Sequence, residues 1–383
     1  MQDFILMDKD NPVASVSIQL NEDNEYYLHV NEVLDVKRLP YGTKRQEVGD
    51  LDKKFNDWND SRCIPLGRPN LAQFREAIGV SSNAELIAKS HMCSLTDCFW
   101  FKETDSDKTW ADVNFFDNSF SSNVYRHLFF NPDGTPINNL ESPDLTTDGV
   151  LPKMWLERDG KFFLLKDSQG HVPMESYTEI FASKMLSQMG VEHVEYGGVS
   201  YKGRVVCKSE NFIHSDKESF VSARDIMNDR GMQQNSEFFA NFRKWGAGKE
   251  AEQMILCDYL LGNLDRHTGN YGFIVDSENH HILRVAPIFD NGAGDLFNDI
   301  GFMEYPPLGV PMDKVCQELS LETLQLVDKI DTGSLKTLLN KFELPEHNRT
   351  MIIDTLDSRI DKVREHIMGR TGHDNREKDD RII

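Results

Sequence analysis

The stretch Gly262-Asn263-Leu264-Asp265-Arg266-His267-Thr268-Gly269-Asn270, with Asp290 twenty residues further on, constrains this chain more than any other feature. Asp265, His267 and Asn270 fall between a helical pattern at Ala251 to Leu261 and a strand pattern at Tyr271 to Val275. Asp290 ends the apolar run Ala286-Pro287-Ile288-Phe289 and is followed by Asn291-Gly292-Ala293-Gly294, a tail suited to a mobile segment. An acid, an asparagine five positions on and a second acid form the residue set of metal-dependent phosphoryl transfer. One carboxylate orients and deprotonates a hydroxyl, while an amide oxygen and another carboxylate hold Mg²⁺.

The Asp-to-Asn spacing equals that of the kinase loop His-Arg-Asp-x-x-x-x-Asn, although here Arg266 and His267 follow the acid. His267 has no second His or Cys at ligand spacing, so its expected part is to shape the loop. No Gly-x-x-x-x-Gly-Lys-Ser/Thr string is present, which argues against a P-loop NTPase. No Gly-x-Gly-x-x-Gly follows a strand either, so the phosphate cradle must use other backbone amides, near Thr146 to Gly149.

The net charge of −21 opposes a polyphosphate backbone, so direct nucleic-acid binding is not expected. ATP with Mg²⁺ in a local pocket is compatible with it. The six cysteines (Cys63, Cys93, Cys98, Cys207, Cys257, Cys316) contain no C-x-x-C pair and read as reduced thiols. No secretory pattern opens the sequence, and no apolar run approaches the roughly 20 residues of a membrane span. The expected compartment is the cytoplasm, with no membrane partner.

The patterning predicts an α+β, bilobed, protein-kinase-like fold with a small N-terminal α/β extension. A mixed domain is expected over 1–130, a strand-rich N-lobe over 131–215, a helical C-lobe over 216–369 and a polar, frayed tail over 370–383. In the first segment, Phe4 to Met7 and Val13 to Ile18 read as strand, turn and strand, continued by Tyr26 to Val30. Asn70 is expected to cap a helix through Ile78, and Ser82 to Glu85 has capping-box spacing. Phe99-Trp100-Phe101 and Trp110 to Phe116 are expected in a core. The polar stretch Asn131 to Gly149, with Pro132-Asp133-Gly134, marks the boundary. A hairpin follows at Met154 to Leu165, a helix at Glu175 to Met189 ended by Gly190, and strands at Val194 to Gly198 and Gly203 to Cys207. From Asp216 onward the pattern reads as mostly helical, with three helices between Met312 and Met368.

A nucleotide site between the lobes needs a fixed cation and an acid that orients it. Lys166, at the end of Phe162-Phe163-Leu164-Leu165, is the favoured ATP lysine; Lys153 and Lys161 compete, and Lys153 lies close to the Gly149 loop. Glu175 and Glu179 share a helix face, and Glu179 is favoured as the partner of Lys166. Ser209-Glu210-Asn211-Phe212 falls where an interlobe hinge would read adenine, which puts Glu210 and Phe212 among the nucleotide-binding candidates.

Leu264 to Asn270 with Ala286 to Asp290 resembles the signature of HipA-like serine/threonine kinases. Ser142-Pro143-Asp144-Leu145-Thr146-Thr147-Asp148-Gly149 through Lys153-Met154-Trp155 and Leu165-Lys166 is similar to the phosphate loop and ATP lysine of stand-alone members. Ser94 to Trp100 followed by Trp110 to Phe120 looks like the segment that precedes the kinase there. The resemblance covers residues 90 to 310 well and the C-terminal helices loosely; its Asp-Arg-His-x-x-Asn core is shared in form with phosphatidylinositol kinases. It implies Mg-ATP-dependent phosphorylation of serine or threonine, with Asp265 as base, Asn270 and Asp290 on metal and Lys166 on ATP. It also implies self-phosphorylation in the phosphate loop, with Ser142 as the matching serine. In toxin members a DNA-binding antitoxin is the partner. The first 90 residues here do not obviously match the N-terminal subdomain of such toxins, which counts against an antitoxin partner. The alternatives are a lipid or small-molecule kinase of the same fold, and a catalytically silent interaction module. The protein substrate is not named by the sequence.

Overall fold

Alternating apolar residues in Gln2–Asp8 (β1) and Asn11–Leu20 (β2) pair these strands as an antiparallel hairpin across Lys9 and Asp10. Tyr26–Val33 (β3) and Phe99–Glu103 (β4) complete a sheet of order β3-β2-β1-β4. This is a computed structural model; it describes residues 2–44, 50–121, 123–130, 137–232, 238–297 and 316–379. The Pro132-Asp133-Gly134 turn, Met312 and the last four residues lie outside them.

Strand β3 is an edge, and the helix Leu51–Arg62 (α1) satisfies its backbone through side chains. Asn56 accepts from Leu28 N and donates to Leu28 O, and Asp52 accepts from Val30 N. The core beneath holds Phe4, Leu6, Val16, Leu28, Phe55 and Phe74, with Leu86 from the helix Asn83–Ile87 (α3). Ser82 and Glu85 form the expected capping box of α3. The helix Leu71–Ile78 (α2) starts where expected, but Asn70 does not cap it. Asn70 is left-handed at φ 65°, and its side chain instead donates to Leu128 O, an attachment that local spacing does not show.

Trp100 and Trp110 are core residues, as expected of these aromatics. Their indole N–H groups reach Lys9 O and Asp216 Oδ2. Trp110–Val113 (α4) and Asn123–Phe130 (α5) lead to the hairpin Lys153–Arg158 (β5) and Lys161–Lys166 (β6). Its two-residue turn, Asp159-Gly160, has positive φ at both positions, the geometry that follows strand twist.

The chain divides into two compact units. The first comprises Met1–Asp167, Glu210–Gln233 and Gly272–Ala286. Its second sheet, of order β11-β10-β9, joins Glu218–Ser222 (β9), Gly272–Asp276 (β10) and Ile282–Val285 (β11). Strand β9 lies in the region read as mostly helical. Five residues carry little periodicity, and its partner β10 is some fifty residues away in sequence. Gly272 permits the pairing, since a Cβ there would meet Val221 O at 2.1 Å. Ala223–Arg230 (α7) follows β9, capped by Ser222.

The second unit comprises Ser168–Ser209, Gln234–Tyr271 and Pro287–Ile383. It contains Met174–Met189 (α6), ended by Gly190 as expected, and the hairpin Tyr196–Tyr201 (β7) with Arg204–Glu210 (β8), whose last residue is counted in the first unit. Phe238–Lys244 (α8) and Gly248–Leu261 (α9) lead into the acid loop. Leu321–Leu324 (α10), Thr332–Leu339 (α11) and Glu346–Asp379 (α12) close the chain. Helix α12 continues to Asp379, into the segment expected to fray after Gly369, whose residues include no proline and several good helix formers. No described helix is long and apolar enough to cross a membrane.

Two helix-ending glycines separate backbone strain from steric overlap. Gly79 and Gly262 both sit near φ 65°, but a Cβ at Gly79 meets nothing within 4 Å, whereas at Gly262 it would lie 1.6 Å from Asp295 Oδ1. Gly79→Ala is expected to lower stability by about 1 kcal/mol. Gly262→Ala should cost more than twice that, read as the larger drop in melting temperature.

Candidate active site

Helix α9 is apolar on the face that carries Met254, Ile255 and Leu261, yet Asp258 lies among them with no exposed surface. A buried carboxylate needs a partner, and Arg266 supplies it from the acid loop at 2.9 Å, both side chains fully buried. The guanidinium fork uses its remaining donors on backbone and amide oxygens. Nη1 donates to Asn270 O at 3.0 Å and to Phe289 O at 2.5 Å, and Nη2 donates to Asn291 Oδ1 at 2.7 Å. One cation thus gathers the helix end, the carbonyl of Asn270 and both residues that flank Asp290. Burial opposes the Arg266 charge, but Asp258 outweighs it, aided by Asp290 and Glu179, and the pKa is raised.

The loop is tight within itself. Asn263, on helix-terminating Gly262, donates to Asp258 Oδ1 and accepts from Asp265 N. Asn270 Nδ2 donates to Asp265 O at 2.9 Å, which leaves its Oδ1 for another role. His267 Nδ1 accepts from Gly269 N, consistent with a loop-shaping residue. The Asp265 side chain is exposed and Asn270 is buried. Asp290 is half-buried at φ 58°, a left-handed conformation unusual for a residue with a side chain.

Glu179 is fully buried on α6, and its Oε2 accepts from Asn291 N at 2.9 Å. Glu175, one turn earlier, is only half-buried and accepts from Gln169 N. Within the second unit, then, the structure brings together Asp265, Asn270, the Asp290 segment and Glu179. Sequence reasoning passed over Asp258, Arg266 as organiser, Asn263 and Asn291. A charged residue inside the apolar run Leu256 to Leu261 was the available signal.

The first unit carries the remaining candidates. Lys166 is buried at the end of β6 and stands directly opposite Lys153 in the ladder. Lys153 Nζ donates to Asp148 O at 2.7 Å, while Lys161 is turned to Glu210 at 2.9 Å. Phe212 packs edge-on against Phe220, and the intervening Asn211 is anchored by Phe162 O and Leu95 O. Gly149, at φ 88°, closes a loop whose preceding turn is Pro143–Thr146. Ser142 is almost fully buried, accepting from Asp144 N and donating to Asp144 Oδ2. Burial pushes the Asp144 carboxyl up to about 7, against the opposing N–H of Trp155, the Ser142 hydroxyl and Arg68.

Over most of its length, the chain superposes on HipA of Shewanella oneidensis MR-1, whose structure was determined with HipB and operator DNA as a toxin–antitoxin system. The TM-score is 0.55 at 13% identity, covering 94% of this chain and 97% of that one. The fold is that of HipA. The uncovered 6% is far shorter than 90 residues, so most of the N-terminal segment expected to differ lies within the HipA-like fold. The proinflammatory kinase CtkA of Helicobacter pylori superposes at a TM-score of 0.44, with 17% identity, over 57% of this chain and 95% of that one, too loosely to bear on the fold. In sequence, the serine/threonine-protein kinase CtkA of H. pylori strain J99 is 52% identical over 40 residues. That match spans 10% of this chain and 12% of the relative's length. No family model matches the chain.

Two outcomes check the electrostatics of these buried groups. Arg266→Gln leaves Asp258 buried without its cation and is expected to cost about 3–5 kcal/mol in chemical denaturation. Asp144 binds its proton more tightly when folded, so stability falls as pH rises from 3.8 towards about 7. Asp144→Asn should flatten that decline and leave the variant relatively more stable at pH 8, read from melting temperatures across pH 5 to 8.

Proposed function

We propose that the chain is an ATP- and Mg²⁺-dependent serine/threonine protein kinase of HipA-like type, acting on a protein substrate. The observation that carries this reading is the single Arg266 fork, which fixes the Asp265–Asn270 loop and the Asp290 segment together. The strained φ at Asp290 supports it, since such strain collects where a side chain must be aimed. The 40-residue match to a named serine/threonine kinase supports it also.

In this reading Asp265 accepts the proton of the substrate hydroxyl at its exposed carboxylate. Asn270 Oδ1 and the Asp290 carboxylate are hard oxygen donors. No group of three His, Cys, Asp or Glu that could cage a metal occurs among the described residues. That set fits Mg²⁺, which is held by one or two protein ligands and completed by phosphates and water. Mg²⁺, when bound, neutralises charge on the transferred phosphoryl group. Lys166 is assigned to the nucleotide phosphates, Lys153 and Gly149 to the phosphate loop, and Glu179 to orientation of the site. Glu210 and Phe212 are assigned to the adenine side. The proposal includes no antitoxin and no direct nucleic-acid contact, the charge of −21 opposing the latter.

Self-phosphorylation at Ser142 belongs to the same reading. Because that hydroxyl is 1% exposed and held by Asp144, the segment must leave its seat to be modified. The added charge would then oppose its return and lower activity.

Mg-ATP is expected to raise the melting temperature of the wild-type protein. Asp265→Asn should cut phosphoryl transfer from γ-labelled ATP by roughly 10²–10⁴-fold while nucleotide affinity stays near wild type. Asp290→Ala should weaken both. Absence of any Mg-dependent response to millimolar ATP would sink the kinase reading.

A further inference from the structure

Arg68 sits on the turn Pro65 to Arg68 ahead of α2, far in sequence from the Thr147–Gly149 loop, and its side chain is 2% exposed. Every side-chain donor it uses goes to that loop. Nε donates to Gly149 O at 3.0 Å, and Nη1 donates to Thr147 Oγ1 at 2.6 Å. Nη2 donates to Thr147 O, to Asp148 O at 3.0 Å and to Gly149 O at 2.7 Å. Three consecutive carbonyls therefore face one guanidinium. Among the described residues no carboxylate oxygen lies within 4.0 Å of it, unlike the paired Arg266. Burial pulls its pKa down to about 10, with Asp144 and Asp148 opposing, so it stays cationic at neutral pH.

A trans peptide points its C=O and N–H in opposite directions. Carbonyls of Thr147, Asp148 and Gly149 that turn to Arg68 send the next amides, of Asp148, Gly149 and Val150, the other way. Successive outward amides form a concavity for anions. One oxygen anion already uses it: Gly149 N donates to the Asp148 carboxylate at 2.6 Å. Amides of Asp148 and Val150 meet no acceptor among the described residues. Lys153 Nζ adds a second cation on Asp148 O.

We propose that Arg68 is a positioning residue for nucleotide phosphate, holding the Thr147–Gly149 carbonyls inward so that the next three amides cradle a phosphate oxygen. This deepens the kinase reading and rests on it. Arg68 touches no nucleotide in this role; it shapes the backbone that does. The Asp148 carboxylate is then a competitor that the phosphate displaces from Gly149 N.

The test compares MgATP, MgADP and adenosine by calorimetric titration of the wild type, Arg68→Gln, Arg68→Lys and Asp148→Ala. Arg68→Gln should weaken MgATP and MgADP at least tenfold while adenosine affinity stays unchanged, a selectivity that loss of packing alone would not produce. Arg68→Lys should fall between, since one ammonium cannot span all three carbonyls, and it carries the same comparison if Arg68→Gln fails to fold. Asp148→Ala should tighten MgATP binding several-fold. Folded Arg68 variants with the wild-type preference for MgATP over adenosine would overturn the inference alone. A wild-type protein indifferent to MgATP would overturn the kinase reading and this inference together.

Discussion

The buried pair of Asp258 and Arg266 is the interaction on which the acid loop depends. Two charges removed from water contribute little net stability, and apolar replacements of equal volume often fold as well. What a pair of methyl-bearing side chains could not do is direct five N–H groups at fixed angles. Arg266 spends part of its fork on Asp258 and the rest on Asn270 O, Phe289 O and Asn291 Oδ1. Residues twenty apart in sequence are thereby set by one planar group, itself set by a helix. Geometry, more than energy, is what the pair supplies.

A second guanidinium does comparable work in the first unit, with a different charge balance. Irregular backbone has no ladder to satisfy its carbonyls, and buried ones must find donors elsewhere. The Thr147–Gly149 loop finds them in Arg68, the acid loop in Arg266. Where Arg266 is neutralised by a carboxylate, Arg68 meets carbonyl dipoles and a hydroxyl only. The two loops therefore differ in local field even though the same kind of side chain holds both.

Much of the fold was legible because it rests on local rules. The β1–β2 hairpin, the capping box at Ser82, the Asp159-Gly160 turn and the glycine end of α6 all follow from patterns a few residues long. The misreadings share a different cause. Strand β9 is defined by a distant partner and Asn70 by a carbonyl on α5; Arg68, defined by a loop some eighty residues away, was not singled out at all. The acid loop was visible because its chemistry is compressed into nine residues. Its organiser was not, because an arginine's use depends on where its fork ends up. The first 90 residues looked separate from the toxin pattern in sequence, yet most of them fall within the shared fold.

Asp290 shows what such a site means for anyone who would redesign this chain. A backbone at φ 58° is easy for glycine and costs an aspartate about 1 kcal/mol. A procedure that ranks substitutions by backbone strain alone would therefore favour glycine at position 290, although the carboxylate also helps to hold the Arg266 charge. The chain it returned would have lost the carboxylate that the left-handed backbone at this position presents beside Arg266.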